Sequence, residues 1–336
     1  MVDLTKYLKH GLTDMKPSAI LAFANYASQF PDMVKFTVGE PDFNTPDHIK
    51  EAAIQGIKAN HSHYALSNGI APLREAASKF LAEQYGQHYD PKSEILVTNG
   101  VTEAIFACLM TVMNPGDLLL APTPIFPQYF ADAKLFGCDS IMVDTSESGF
   151  KLTPAQLQAA IDQAGERLRV LVLNNPNNPT GVVYTQAELD ALADVVRDKP
   201  IFVLSHEIYS ELNYDVPHAS IAHALPEQTI VMNCVSKSWA MTGYRIGIMC
   251  APAAITKEMA KINQLILTSA PTPMQDAAAE AFANGQADAL AMKAEFKQRR
   301  DYLYQALTEL GFKCVKPGGA FYIFAKIPAG YQQDDV

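Results

Sequence analysis

Lys237 and Arg245 stand eight residues apart in SKSWAMTGYRIG, directly after the apolar run TIVMNCV (229–235). A lone lysine at such a junction is ordinarily a solvated surface charge. The setting also offers a second chemistry. Burial and a neighbouring cation such as Arg245 both disfavour the ammonium form, and a free amine condenses with an aldehyde to a Schiff base. The hydroxyls of Ser236, Ser238 and Thr242, with the guanidinium of Arg245, would suit a phosphate beside that amine. A second stretch, Thr98-Asn99-Gly100-Val101-Thr102-Glu103, lies between an apolar run and a helical pattern. Backbone N–H groups at a helix N-terminus favour an anion, and glycine lets the backbone come close to it. Taken alone, a strand, a glycine and a helix start are also a common turn.

Four further blocks follow the same pattern of polar residues at the ends of apolar runs: FTVGEPD (36–42), APTPIFPQY (121–129), NNPNNPTG (174–181) and IFVLSHEIYSEL (201–212). The lysine block, with its Ala-Met-Thr-Gly run and its arginine before Ile-Gly, resembles that of the pyridoxal-phosphate-dependent aminotransferases of classes I and II, fold type I. The other blocks agree in the same order, so the resemblance covers essentially the whole chain. It implies pyridoxal 5′-phosphate as cofactor and Lys237 as the Schiff-base lysine and proton shuttle. It also implies phosphate binding by Gly100, Val101, Thr102, Ser236 and Arg245. Phe126 would stack on the pyridine ring, Asn178 and Tyr209 would share its 3′-oxygen, and the Gly39 backbone would meet the substrate carboxylate. Tyr64, in the stretch from His63 to Arg74, would reach the phosphate of a neighbouring subunit, which implies a homodimer with shared sites.

Two departures stand out against the resemblance. The family carries Asp-Glu-x-Tyr where this chain has His206-Glu207-Ile208-Tyr209. The family aspartate pairs with the protonated pyridine nitrogen and keeps the ring an electron sink. Histidine holds no fixed negative charge: neutral, it can donate to or accept from that nitrogen, and protonated it would repel a pyridinium. The expectation is that His206 faces the pyridine nitrogen and that amino transfer is slowed. The second departure is an arginine that clamps the substrate α-carboxylate in the family, the natural work of a bidentate guanidinium. By comparison it lies past the Gly318-Gly319-Ala320-Phe321-Tyr322 hairpin, beyond Val336, where this sequence ends. If the chain stops there, weak substrate binding is expected.

The elements that must position these residues are short apolar runs alternating with helical patterns. EILVT (94–98), DLLLAP (117–122), DSIMVDT (139–145), LRVLVLN (168–174), IFVLS (201–205), TIVMNCV and YRIGIMCAP (244–252) read as strands buried on both faces. That is the mark of a mostly parallel sheet covered by helices. Thr45-Pro46 reads as a helix start, with a hydroxyl cap before a proline. Residues 253–310 read as mostly helical, and 311–328 as two strands with a Gly-Gly break. The expected fold is α/β: a three-layer αβα large domain over 47–270, and a smaller α+β domain built from 1–46 and 271–336.

Bulk properties exclude several classes. With 336 residues, 49% of them apolar, the chain can bury a sizeable core. A net charge of −10 argues against nucleic acid as the main partner. Five scattered cysteines with no C-x-x-C pair argue against a disulfide framework or a metal site. The N-terminus has no long apolar stretch and no run reaches a membrane span, so a soluble cytoplasmic protein is expected. The expected activity moves an amino group from an L-amino acid, aromatic or broad in range, to a 2-oxo acid by a ping-pong cycle. A carbon–sulfur β-lyase on the same fold is the competing reading. A catalytically weakened cofactor-binding homologue, favoured by His206 and the missing arginine, is another.

Overall fold

Each of the seven apolar runs forms a strand of one sheet in the computed structural model, which describes residues 2–9, 12, 15, 19–30, 32–34, 36 and 39–330. In chain order the elements begin with helices α1 (Ala19–Ala27), α2 (Asp47–Lys58) and α3 (Ala71–Tyr85). Strand β1 (Ile95–Thr98), helix α4 (Val101–Val112), β2 (Leu118–Thr123), α5 (Gln128–Leu135) and β3 (Asp139–Asp144) follow. Then come α6 (Pro154–Ala164), β4 (Leu168–Asn174), α7 (Gln186–Val196), β5 (Phe202–His206), β6 (Thr229–Cys234) and β7 (Gly247–Cys250). Helices α8 (Ala253–Leu267), α9 (Thr272–Asn284) and α10 (Gln286–Glu309) lead to the short strands β8 (Lys313–Cys314) and β9 (Ala325–Lys326).

The sheet order is β1-β7-β6-β5-β4-β2-β3. All neighbours are parallel except at β7, which runs antiparallel to both β6 and β1. Side chains alternate between the faces, as a pleated strand requires. On β4, Val170 and Val172 join a core with α4, α5 and α8, while Leu171 and Leu173 join another with α6 and α7. At the β1–β7–β6 side, Ile95, Val97, Ile248 and Val231 pack against α2, α3 and α9. Helices therefore cover both faces, which makes three layers and explains why the inner strands are mostly apolar; β3, expected to be buried on both faces, is instead the edge strand, with Asp139, Met142 and Asp144 exposed.

Local signals start several helices. Thr153 with Gln156, and Thr185 with Glu188, form reciprocal capping boxes at α6 and α7. Thr45 does not cap α2 as expected. Its hydroxyl donates to the Ala240 carbonyl at 2.7 Å, and Pro46 itself takes the cap position before Asp47. The tertiary partner satisfies the hydroxyl, so the local pattern loses.

Beyond the sheet, the segment read as two strands pairs over only two residues on each side, Lys313 with Lys326 and Cys314 with Ala325. The glycines between them serve a different purpose. Gly318 and Gly319 donate to the Gly181 carbonyl at 2.9 and 3.0 Å, and Ala320 donates to the Leu212 carbonyl at 2.9 Å. A Cβ on Gly319 would sit 2.7 Å from Pro176 and 2.8 Å from the Leu212 carbonyl, so only glycine allows this approach. The result stitches Phe321 and Tyr322 to the loops that follow β4 and β5.

Candidate active site

The carboxyl ends of the parallel strands open into one cavity of about 910 Å³. In open α/β sheets ligands bind at that edge, because the loops leaving the strands converge there. Its walls include Gly39, Val101, Thr102, Phe126, Asn178, His206, Tyr209, Ser236, Lys237 and Arg245, so the structure gathers nearly all the expected site residues. Gly100 stands at the N-cap of α4 just behind them. Tyr64 lies outside the cavity with 86% of its surface exposed. Ser238 is buried and does not line the cavity. Of the N-terminal stretch, Thr37 and Val38 lie outside the described residues.

One end of the cavity suits an anion. The N-terminus of α4 presents Val101 and Thr102, and Arg245 lies beside it, donating to the carbonyls of Thr242 at 3.1 Å and Asn99 at 3.4 Å. Gly100 has φ +76°, and a Cβ there would meet Arg245 Nη2 at 2.4 Å. Glycine is needed twice over, for the left-handed backbone and for the room. Arg245 itself has φ +58°, a costly conformation for a residue with a Cβ, which aims the guanidinium back over the loop.

Lys237 follows β6 and is half-buried. Its Nζ donates to the Gly39 carbonyl at 2.7 Å and lies 5.8 Å from the Phe321 ring centre. Burial holds its pKa below the ordinary lysine range, with Arg245 adding a smaller push in the same direction. The two causes named from sequence both operate, and burial leads. The thiol of Cys234 and the carboxylate of Glu40 oppose them.

Between these groups lie rings and hydroxyls. Phe126 lines the wall after β2. Tyr209 and Tyr322 share a hydroxyl hydrogen bond of 2.7 Å, and Asn178 Nδ2 donates to the Tyr209 hydroxyl at 3.5 Å. Burial raises the pKa of both phenols, that of Tyr322 to about 12, so both remain protonated donors.

His206 also lines the cavity. It is the last residue of β5, on the same face as Leu204, and it is buried. Its Nδ1 is hydrogen-bonded to the Tyr129 hydroxyl. Its Nε2 has no partner among the described residues. Burial pushes its pKa down to about 3, aided by the charge of Lys237, so the imidazole is neutral. Glu207 points to the other face. There it is fully buried and takes hydrogen bonds from Ser205, Ser220, Gln87 and His218 at 2.7, 2.5, 3.1 and 2.7 Å. Burial pushes that carboxyl up, but the His218 charge and these hydrogen bonds hold it below the usual range. The neighbouring carboxylate thus does not stand in for the missing aspartate.

Sequence reasoning missed several contributors, Phe296 among them. Arg299 lines the mouth, 2.7 Å from Asp42 and over the rings of Phe43 and Phe296 at 5.1 and 5.8 Å. Its place on a long helix with no motif gave no signal. Tyr129 was quoted within the proline-rich block, but its partner lies 77 positions away.

The donor set fits pyridoxal phosphate. It offers an anion cradle that admits only glycine at its back, an amine with a lowered pKa, and a buried orphan nitrogen in the wall of the same cavity. The comparisons with known proteins agree. The family described as "Aminotransferase class I and II" matches residues 31–333. A Bacillus subtilis protein, "Probable N-acetyl-LL-diaminopimelate aminotransferase", is 42% identical over 314 residues, spanning 94% of this chain and 79% of its own. The solved aspartate aminotransferase of Thermus thermophilus with maleate superposes with a TM-score of 0.90 at 36% identity, over 96% of this chain and 85% of that one. An aromatic aminotransferase from Pyrococcus horikoshii superposes with 0.84, also at 36% identity, over 90% and 82%.

Proposed function

The chain belongs to the class I and II aminotransferases, which depend on pyridoxal phosphate, and on that premise we propose that it moves the amino group of an L-amino acid to a 2-oxo acid in a ping-pong cycle. The observation that carries this reading is Lys237, an amine whose pKa burial lowers, set at the sheet's carboxyl edge beside an anion cradle. Bound there, the cofactor supplies an aldehyde that carries the amino group and a ring that takes up the electrons left when the Cα proton departs.

The chain's own residues do the rest. Arg245, Ser236 and the N–H groups of Val101 and Thr102 hold the phosphate, while Gly100, whose own N–H donates to the Thr98 carbonyl at 2.9 Å, leaves room for it. Phe126 packs on the ring, and Asn178 and Tyr209 donate towards its 3′-oxygen. His206 faces the pyridine nitrogen. The Lys237 amine accepts the Cα proton as general base and returns it as general acid, which its lowered pKa suits. The Gly39 backbone meets the substrate carboxylate, and the nearby rings of Phe296, Phe321 and Tyr322 exclude water. This aromatic lining supports a preference for aromatic or large apolar side chains.

Residues 47–270 are read as the large domain, with 1–46 and 271–336 as the small one. The working unit is read as a homodimer, supported by the exposure of Tyr64, Leu66 and Leu265 at 86, 69 and 83%. Five unbridged cysteines support a reducing, cytoplasmic setting. Among the described residues no helix is long and apolar enough to cross a membrane.

The test is the absorption spectrum of the cofactor-loaded protein with single L-amino acids and no acceptor. Conversion to the pyridoxamine form is expected. A spectrum unmoved by every amino acid would favour the weakened homologue, for which His206 is the specific cause. Pyruvate and ammonia released from a cystathionine-like substrate would favour the β-lyase.

A further inference from the structure

His206 and Tyr129 form a closed pair inside the cavity wall. Tyr129 is fully buried, and its only hydrogen bond among the described residues goes to His206 Nδ1. Burial raises the phenol's pKa far above its ordinary value, so it keeps its proton. That proton has one acceptor within reach. If Nδ1 carried a hydrogen and donated to the phenol, the phenolic hydrogen would be left buried and unpaired, at a cost of about 1–3 kcal/mol. The satisfied arrangement has the phenol donating to Nδ1, and a neutral imidazole must then carry its hydrogen on Nε2. The imidazolium alternative is closed off by burial and by Lys237, against the weaker opposing pull of Glu207.

We propose that Tyr129 is a positioning residue that fixes His206 in the Nε2–H tautomer, so that the site offers a hydrogen-bond donor to the cofactor's pyridine nitrogen and holds that nitrogen unprotonated. The proposal rests on the reading that pyridoxal phosphate binds in this cavity with its ring nitrogen towards His206. A protonated ring nitrogen would bring two N–H groups face to face and leave one of them unpaired. The unpartnered Nε2 instead meets the lone pair of a neutral pyridine. The ring is then a weaker electron sink than one paired with a carboxylate, and the Lys237 amine must remove the Cα proton with less help.

Nuclear magnetic resonance of the holoprotein, loaded with cofactor labelled with 15N at the ring nitrogen, reads this directly without turnover. The wild-type signal is expected at the low-field position of a neutral pyridine. His206→Asp should move it to the high-field position of a protonated ring. Tyr129→Phe should move it part of the way, because an imidazole without its donor is free to adopt the tautomer that accepts at Nε2. A protonated label in the wild type overturns the proposal without any variant. A Tyr129→Phe signal identical to wild type overturns the role of Tyr129, and an unmoved signal in His206→Asp shows that the nitrogen does not face position 206. A label that stays at the position of free cofactor overturns the binding reading itself, and the inference with it.

Discussion

Position 100 has no room for a methyl group, since a Cβ would meet Arg245 at 2.4 Å and the backbone sits at φ +76°. Gly100→Ala should weaken cofactor affinity by roughly tenfold or more, about 1.4 kcal/mol, checked by titrating the cofactor against visible absorbance. Lys237→Ala removes the general base and acid, and should lower turnover by about two to four orders of magnitude while leaving the fold intact by circular dichroism. His206→Asp restores a fixed negative charge opposite the ring and should speed the amino-acid half-reaction in single-turnover measurements. No acceleration would count against His206 as the limiting group. His206 also links stability to pH. Its folded pKa, about 3, lies below the ordinary 6.5, so the unfolded chain takes up the proton first. The contribution is present above pH 6.5 and fades as pH falls towards 3. Urea midpoints of the cofactor-free protein should therefore fall with acidity, and less steeply in His206→Gln. At this scale the sequence showed which residue had changed, but not its tautomer, because Tyr129 comes to it only through folding.

The strands were the most legible elements. Runs such as LVL (171–173) and IVM (230–232) are apolar on every position, and that pattern has few homes other than a sheet covered on both faces. What the pattern could not reveal was direction. β7 looks like its neighbours in composition, yet it is antiparallel to both. The Thr45-Pro46 reading failed for a related reason, since the hydroxyl found a partner 195 positions away. Caps free of such competition behaved as local chemistry demands. Thr185→Ala should remove the reciprocal bonds with Glu188 at the start of α7 and lower unfolding free energy by about 1 kcal/mol, checked by chemical denaturation.

For the molecule as a whole, the site draws on residues from Phe36 to Tyr322, so it forms only when distant segments have met. The sequence announced the blocks that lie at strand ends, where turn residues interrupt apolar runs. It was silent on Arg299 and Phe296, which reach the cavity from the middle of α10. The exposed ring of Tyr64 and the neighbouring Leu66 belong to this scale also. Sedimentation should show a dimer, and Tyr64→Ala should weaken cofactor binding without altering the subunit's own fold. A monomer with full cofactor affinity would sink the shared-site reading.

The opposed directions of His206 and Glu207 at the end of β5 carry one more consequence. The pocket's electrical character is stored in strand parity rather than in composition. Both residues are present side by side, and which of them confronts the ligand depends only on an odd or even count from Leu204. Deleting one residue within β5 would bring Glu207 to the place of His206, and so put a carboxylate in the cavity. The same two letters would then write a negative charge where a neutral ring now stands.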